Sequence, residues 1–354
     1  MSVNALGLRL GCRLFALTLL LGAAFACCSC VNPAPPSPPL ERFEYQKPEM
    51  GVPFRIVLYA KDRPTADRAQ AAAFKRVEEL NAIMSDYEMD SELSRLSRSS
   101  GKGRAVPVSP DLWKVLEHAQ DVSARSDGAF DVTVGPYVLL WRKARREGRL
   151  PDPARLAEAG RSVGYQHVRL NKAAQSVELL VPGMRLDLGG IAKGYAIDAA
   201  LEALQHDGVV RALVSGGGDM AVSGPPPGKS GWRIELAPLD ATNAPPARHV
   251  LLARAGLATS GDLFQRLEIE GKRYSHIVDP RTGIGLTDHS LVTVIAPNCF
   301  TADGLTKVAS VLGPDRGLKI IEENRGASAR VVRKPGDQVE VRESSRFARN
   351  YDPK

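Results

Sequence analysis

Leu186-Asp187-Leu188-Gly189-Gly190-Ile191-Ala192-Lys193-Gly194-Tyr195 sets a glycine pair in front of a helical pattern that runs from about Gly190 to Gln205. Directly after it, Val209-Val210-Arg211-Ala212-Leu213-Val214 reads as a buried strand and enters the small-residue turn Ser215-Gly216-Gly217-Gly218-Asp219. Toward the C-terminus, strands are expected at Trp232 to Ala237, Val250 to Arg254 and Leu291 to Ala296, with helices at Ala302 to Leu312 and Asp315 to Glu323. Toward the N-terminus, Phe54 to Tyr59 alternates as a strand. Ala66 to Met84 then places Ala69, Ala73, Val77, Leu80 and Met84 at helical spacing, and Asp111 to Arg125 does the same through Leu112, Val115, Leu116, Ala119 and Val122. A further strand is expected near Val177 to Leu180, and no repeat period is evident. Hairpin-like strands interspersed with helices favour an α+β class over a regular doubly wound sheet. The expected architecture is one of layered mixed sheets with packed helices, in two closely associated lobes.

The same glycine-opened helix start has a chemical reading. Gly189 and Gly190 let backbone approach a ligand closely, and the first turn of a helix points free N–H groups outward, which suits a pyrophosphate. Lys193 in that first turn is disfavoured by the helix dipole, so it hints at an anionic partner. A plain strand-to-helix turn with an exposed lysine is the alternative. Ser215 to Asp219 and Ala258-Thr259-Ser260-Gly261-Asp262 share one logic: small residues, then a carboxylate suited to a heterocycle N–H or a cation. Tyr274-Ser275-His276-Ile277-Val278-Asp279-Pro280-Arg281-Thr282-Gly283 packs an imidazole, a carboxylate, a guanidinium and a glycine turn between two predicted strands. A nearby carboxylate such as Asp279 fixes an imidazole tautomer, and an arginine such as Arg281 binds phosphate oxygens bidentately.

Two other runs carry no such weight. Gly224-Pro225-Pro226-Pro227-Gly228-Lys229-Ser230 superficially resembles a phosphate loop, but it is one residue short, its prolines lack N–H donors, and a strand follows it. It reads as a surface turn. The basic residues of Arg142 to Arg149 alternate with Ala144, Glu147 and Gly148 before Pro151 and read as a solvated helix end without function.

Composition sets further bounds. Arg9 and Arg13 precede an apolar run, Leu14 to Ala26, too short to span a bilayer, so residues 1–26 read as a leader. Cys27, Cys28 and Cys30 crowd its end, and Ala26 before Cys27 resembles a bacterial lipoprotein processing site, with the proline-rich stretch after it, residues 27–44, as a spacer from a membrane surface. An uncleaved anchor helix or a plain secretory signal is the alternative. Beyond the leader only Cys299 remains, so no disulfide framework holds the domain. The net charge of +7 is concentrated at the ends, two positive charges from the leader and a surplus of four over the last thirty residues, which leaves the middle nearly neutral. No basic stripe interleaved with aromatics appears, so no nucleic-acid partner is expected.

The quoted runs occur in order together with Met84-Ser85-Asp86-Tyr87, Asp90-Ser91-Glu92-Leu93-Ser94, Asp127-Gly128-Ala129-Phe130-Asp131, Thr133-Val134-Gly135-Pro136 and Ala302-Asp303. On these motifs, from about Tyr45 to Gly317, the chain resembles the ApbE-type FAD:protein FMN transferases, a family that also includes periplasmic FAD-binding lipoproteins. The resemblance implies an ApbE-like fold over residues 45–324, followed by a basic C-terminal strand or tail over 325–354. It implies an enzyme that splits FAD at its pyrophosphate, moves FMN onto a threonine hydroxyl of an acceptor protein and releases AMP, using magnesium. It further implies a lipid-anchored protein of the bacterial cell envelope, facing the periplasm.

By similarity, Tyr87 stacks on the isoalloxazine, Lys193 contacts the phosphates, Asp262 helps hold the flavin, and His276 is the candidate for proton transfer. Asp279 stands beside it, and Asp219, Thr259 and Arg281 complete the expected flavin-binding set. The metal site of the family implies a backbone carbonyl in the glycine pair, here near Gly190, an aspartate matching Asp303, and a threonine four residues later. Here that last position is Lys307, which cannot donate a lone pair and makes an ordinary ion pair with Asp303 on one helix face. Thr306 points about a hundred degrees away on a helix. Two readings therefore stand together: a transferase, or an FAD-binding lipoprotein or slow FAD pyrophosphatase without transfer.

Overall fold

The computed structural model describes residues 39–239, 248–261, 266–336 and 338–353, and residues Leu40–Lys354 pack as one unit. The leader, most of the spacer and the candidate lipidation site Cys27 lie outside the described residues, as does Asp262. Among the described residues no helix is long and apolar enough to cross a membrane.

The chain opens with a hairpin, β1 (Glu41–Glu49) and β2 (Val52–Ala60), so pairing begins four residues before the expected domain boundary. Its turn is Met50-Gly51, both at positive φ, where Gly51 carries no strain. Then α1 (Arg63–Met84) starts at Asp62, whose carboxylate accepts from the Thr65 N–H at 2.8 Å, and buries Ala69, Ala73, Val77, Leu80 and Met84 as the spacing predicts. The polar stretch that follows holds a short helix, α2 (Glu92–Ser97), capped by Ser91. After β3 (Val106–Pro107) come α3 (Pro110–Arg125), α4 (Gly135–Glu147) and α5 (Pro153–Gly160); β4 (Val168–Asn171) and β5 (Ser176–Leu179) complete a small sheet with β3. Next are α6 (Ala192–His206), β6 (Ala212–Gly216), β7 (Asp219–Val222), β8 (Trp232–Glu235), β9 (His249–Leu252) and β10 (Ala255–Gly261). The hairpin β11 (Arg266–Ile269) and β12 (Lys272–Ser275) precedes β13 (Ser290–Ala296), α7 (Cys299–Glu323), β14 (Ser328–Arg333) and β15 (Glu340–Glu343). Gly313, at φ 72 and ψ 178, breaks α7 where the sequence predicts two helices.

The main sheet has the order β1-β2-β6-β7-β10-β13-β14-β15, and each neighbouring pair is antiparallel. Both faces are covered. On one, Phe54, Ile56, Leu58 and Val214 pack against α1 and α6, while Val292, Val294 and Ala329 pack against α7. On the other, Val57, Leu213, Leu257 and Ile295 meet Trp232, Ile234, Val250 and Leu252 of the β8–β9 ribbon. The period-2 alternation explains how neighbours in β2 reach opposite cores. A smaller core joins Tyr137 and Trp141 of α4 and Leu156 of α5 to Leu267 and Tyr274 of the β11–β12 hairpin, a satellite of the main core within the same unit.

The described residues of the basic C-terminal segment, expected as a strand or tail, include two strands of this unit. β14 and β15 close the main sheet, and Phe347 is fully buried against β8–β9. Their basic side chains have local work: Arg330 pairs with Glu343 at 3.2 Å, Arg333 with Asp288 at 3.1 Å, and Arg346 donates to the carbonyl oxygens of Glu322 and Ala327.

Candidate active site

A cleft of about 980 Å³ opens where the first turn of α6 meets the β6–β7 turn, the end of β10 and the middle of α7. That is the upper end of the usual range for small-molecule sites, about 300–1,000 Å³. Its floor follows from sequence chemistry. The Asp187 carboxylate accepts the Gly189 N–H at 2.8 Å, and the Leu188 carbonyl accepts from Ile191 and Ala192, which folds the glycine pair tightly before α6. No side chain caps this helix start. Opposite it, Gly217 (φ 61) and Gly218 (φ 94) both need left-handed backbone, so the β6–β7 turn presents main chain alone to the cleft.

Four charged side chains cluster at this wall. Lys193 Nζ donates to Asp219 Oδ2 at 2.6 Å and lies 3.9 Å from Asp303 Oδ2, while Lys307 Nζ donates to Asp303 Oδ1 at 2.6 Å. Asp219 Oδ1 accepts the Thr259 N–H at 3.1 Å, and Asp303 Oδ2 accepts the Gly194 N–H at 3.1 Å. Both carboxylates are almost fully buried, yet two ammoniums balance them. Burial opposes the Lys193 charge, but Asp303 and Asp219 outweigh it and hold its pKa above the ordinary lysine value. Burial likewise opposes the Asp303 charge, and the attraction of Lys193 and Lys307 overcomes it, so Asp303 stays ionised. Lys193 and Lys307 both line the cleft, as do Gly190 and Thr259; Asp219 and Asp303 sit behind the lysines.

Across the cleft lies a second arrangement, which sequence reasoning missed. Arg142 of α4 donates to Asp86 Oδ2 at 2.6 Å and Asp187 Oδ2 at 3.1 Å, and its guanidinium lies 4.1 Å from the Tyr87 ring centroid. The loop bearing Tyr87 is fixed by Ser85, whose hydroxyl accepts the N–H groups of Tyr87 and Glu88. Burial and the like charge of Asp86 raise the Asp187 pKa, which Arg142 counteracts. Arg145, one turn further along α4, also lines the cleft, and no carboxylate among the described residues pairs with it. Burial, and then the neighbouring charge of Arg142, lower its pKa. The available signal was the three-residue spacing of Arg142 and Arg145, which puts both on one helix face.

The predicted histidine segment divides. His276 follows β12 and lines the cleft. Asp279 and Arg281 instead pair with each other, Nε to Oδ1 at 2.9 Å and Nη2 to Oδ2 at 2.8 Å, within a turn closed by the Gly283 N–H on the Asp279 carbonyl. Neither lines the cleft, because the short turn directs carboxylate and guanidinium toward each other. Trp141 Nε1 donates to the Gly283 carbonyl at 2.8 Å and ties this turn to α4.

The expected magnesium can be tested against these donors. It demands near-octahedral oxygen coordination at about 2.0–2.1 Å. Both oxygens of Asp303 already accept, one from Lys307 and one from Gly194. Thr306 donates to the Asp303 carbonyl at 2.7 Å and lies 3.1 Å from the Lys307 ammonium. Among the described residues, no group of three or more His, Cys, Asp or Glu side chains is arranged to hold a metal. This donor set, closed by an ammonium, does not fit a divalent cation.

Comparison with known proteins gives the context of this site. Residues 50–331 match the ApbE family. An FAD:protein FMN transferase of Haemophilus influenzae is 34% identical over 284 residues, covering 78% of this chain and 82% of the relative. One from Klebsiella pneumoniae is 30% identical over 338 residues, covering 93% and 95%. The flavin transferase ApbE from Vibrio cholerae superposes with a TM-score of 0.79 at 29% identity, covering 88% of this chain and 100% of the other. By the extent of the family match and the length shared with these relatives, the chain belongs to the ApbE family.

Proposed function

We propose that the protein is an FAD:protein FMN transferase, whose acceptor is a flavoprotein bearing a flavinylation threonine. The observation that carries this reading is the pairing, in one cleft, of a fixed ammonium beside glycine backbone with an aromatic ring on a guanidinium. The first suits a diphosphate, the second a flat heterocycle.

In this reading Lys193 and the uncapped start of α6 bind the diphosphate, and Tyr87 with Arg142 behind it stacks on the isoalloxazine. His276 takes the proton from the acceptor hydroxyl. The hydroxyl oxygen attacks the phosphorus that bears riboflavin, forming a phosphodiester. The bond from that phosphorus to the bridging oxygen breaks, and its electron pair leaves with AMP. Charge grows on the AMP phosphate as it departs, and the ammonium stabilises it. Magnesium is the usual expectation for such chemistry, but the donor set around Asp303 is closed by the Lys307 ammonium. The leader and Cys27 support a lipid-anchored protein of the bacterial envelope facing the periplasm.

Incubation with FAD and a threonine-bearing acceptor tests the reading. Covalent flavin fluorescence on the acceptor with equimolar AMP supports it. The Lys307–Asp303 pair favours one rival, a protein that binds FAD without transferring it; bound, intact FAD and an unmodified acceptor would establish that rival instead.

A further inference from the structure

The ammonium of Lys307 sits where a divalent cation would need Asp303. Asp303 is completely buried, and the lysine's own side chain is only 17% exposed, so this is no loose surface pair. The stem of Lys307 runs across Gly190: a Cβ there would lie 3.3 Å from Lys307 Cγ and 3.5 Å from Cε. Glycine at 190 thus makes room for the lysine as well as for a ligand. Lys307 and Lys193 both line the cleft, and the formal charges of Lys193, Lys307, Asp219 and Asp303 sum to zero. A divalent ion added to Asp303 would face two ammoniums within a few ångströms and would have to displace one of them from a short, buried hydrogen bond.

We propose that Lys307 is a built-in counter-cation, so that the cleft binds and activates a diphosphate with two lysine ammoniums and without a divalent metal. The proposal rests on the flavin reading above for its substrate. It places on Lys307 the charge neutralisation otherwise asked of a hard cation, with Lys193 at the other edge of the glycine wall. An incoming diphosphate competes with Asp303 for Lys307 and gains hydrogen bonds from both lysines, while Asp303 keeps its hydrogen bond from Gly194 and its proximity to Lys193.

Manganese spectroscopy tests the lysine directly. Purified protein without flavin, titrated with Mn2+ and followed by electron paramagnetic resonance, is expected to leave the free-ion signal undiminished, whereas Lys307→Thr is expected to remove one equivalent. Stoichiometric Mn2+ binding by the unaltered protein would overturn the proposal. Calorimetry with FAD, in a chelator and then in magnesium, is expected to give the same affinity, and Lys307→Met is expected to weaken it roughly tenfold or more. Lys307→Arg retains the positive charge should the methionine variant fold poorly, and it is expected to keep metal-independent binding. Marked tightening by magnesium would again overturn the proposal. Failure of FAD to bind under either condition would overturn the flavin reading and the substrate half of this one, while the manganese titration still decides whether Lys307 excludes the metal.

Discussion

Arg142 supports Tyr87 from below: the guanidinium lies 4.1 Å from the ring centroid while its two terminal nitrogens bridge Asp86 and Asp187. The ring itself is 74% exposed and faces the cleft, so a side chain that does little for folding is held at a defined place for a ligand. Arg142 links that place to the glycine turn, because Asp187 also receives the Gly189 N–H.

Removal of the exposed ring should therefore separate binding from stability. Tyr87→Ala is expected to change unfolding free energy by less than about 0.5 kcal/mol, as surface substitutions do. It is expected to weaken FAD binding roughly tenfold, in keeping with the ~1–3 kcal/mol that an aromatic stack on a base contributes. Tyr87→Phe should bind as the unaltered protein does. Flavin fluorescence quenching and thermal denaturation on the same samples check both halves.

Arg142→Ala should behave differently. It strands two buried carboxylates, and breaking such a pair costs about 3–5 kcal/mol. Calorimetric melting should show that loss alongside weakened FAD binding. Unchanged stability would mean that Asp86 and Asp187 are not held by this guanidinium.

What the sequence displays and what it hides follows from contact range. The α6 start was legible because Gly189, Gly190 and Lys193 act within one turn, and α1 and α3 were legible because their apolar spacing is local. Arg142 was read as part of a solvated helix end because its partners lie 45 and 56 residues away and nothing in a run of basic residues names them. Arg281 and Asp279 err in the other direction: adjacency suggested a shared site, yet residues two apart in a tight turn satisfied each other. The sheet order was hidden for the same reason of range. β14 and β15 carry enough arginine to resemble a tail, and the ladder to β13 that makes β14 a strand joins residues about forty apart.

Close packing of α6 on α7 gives a steric prediction. A Cβ at residue 194 would lie 2.5 Å from the Cys299 carbonyl oxygen and 2.8 Å from Asp303 Cβ. Gly194→Ala is thus expected to cost about 1–3 kcal/mol as an overpacked site. It should also displace Asp303, so FAD binding should fall with stability. Gly208→Ala, at a left-handed position (φ 83) with open space around it, serves as a control for backbone strain without displacement.

The start of α7 should respond to pH. Asp198 accepts the N–H groups of Cys299 at 3.0 Å and Phe300 at 2.8 Å, and burial, only partly offset by these bonds, pushes its pKa up to about 6 from 3.8. A carboxyl raised in the folded state binds its proton more tightly there than when unfolded. Its stabilising contribution is full below about pH 4 and is lost as pH rises through about 6. Melting temperatures of the unaltered protein and Asp198→Asn, compared from pH 4 to pH 7, should shift in favour of the variant as pH rises. A difference independent of pH would contradict the assignment.

Transfer of FMN from FAD to a protein hydroxyl is the reaction that Lys193, Tyr87 and His276 are proposed to carry out in this cleft. Mass spectrometry of a threonine-bearing acceptor after incubation with FAD in a chelating buffer tests it most directly. An acceptor heavier by one FMN less water is expected, with AMP released in equal amount and loss of both with Lys193→Met. An acceptor of unchanged mass beside intact FAD, in chelator and in magnesium alike, would contradict it.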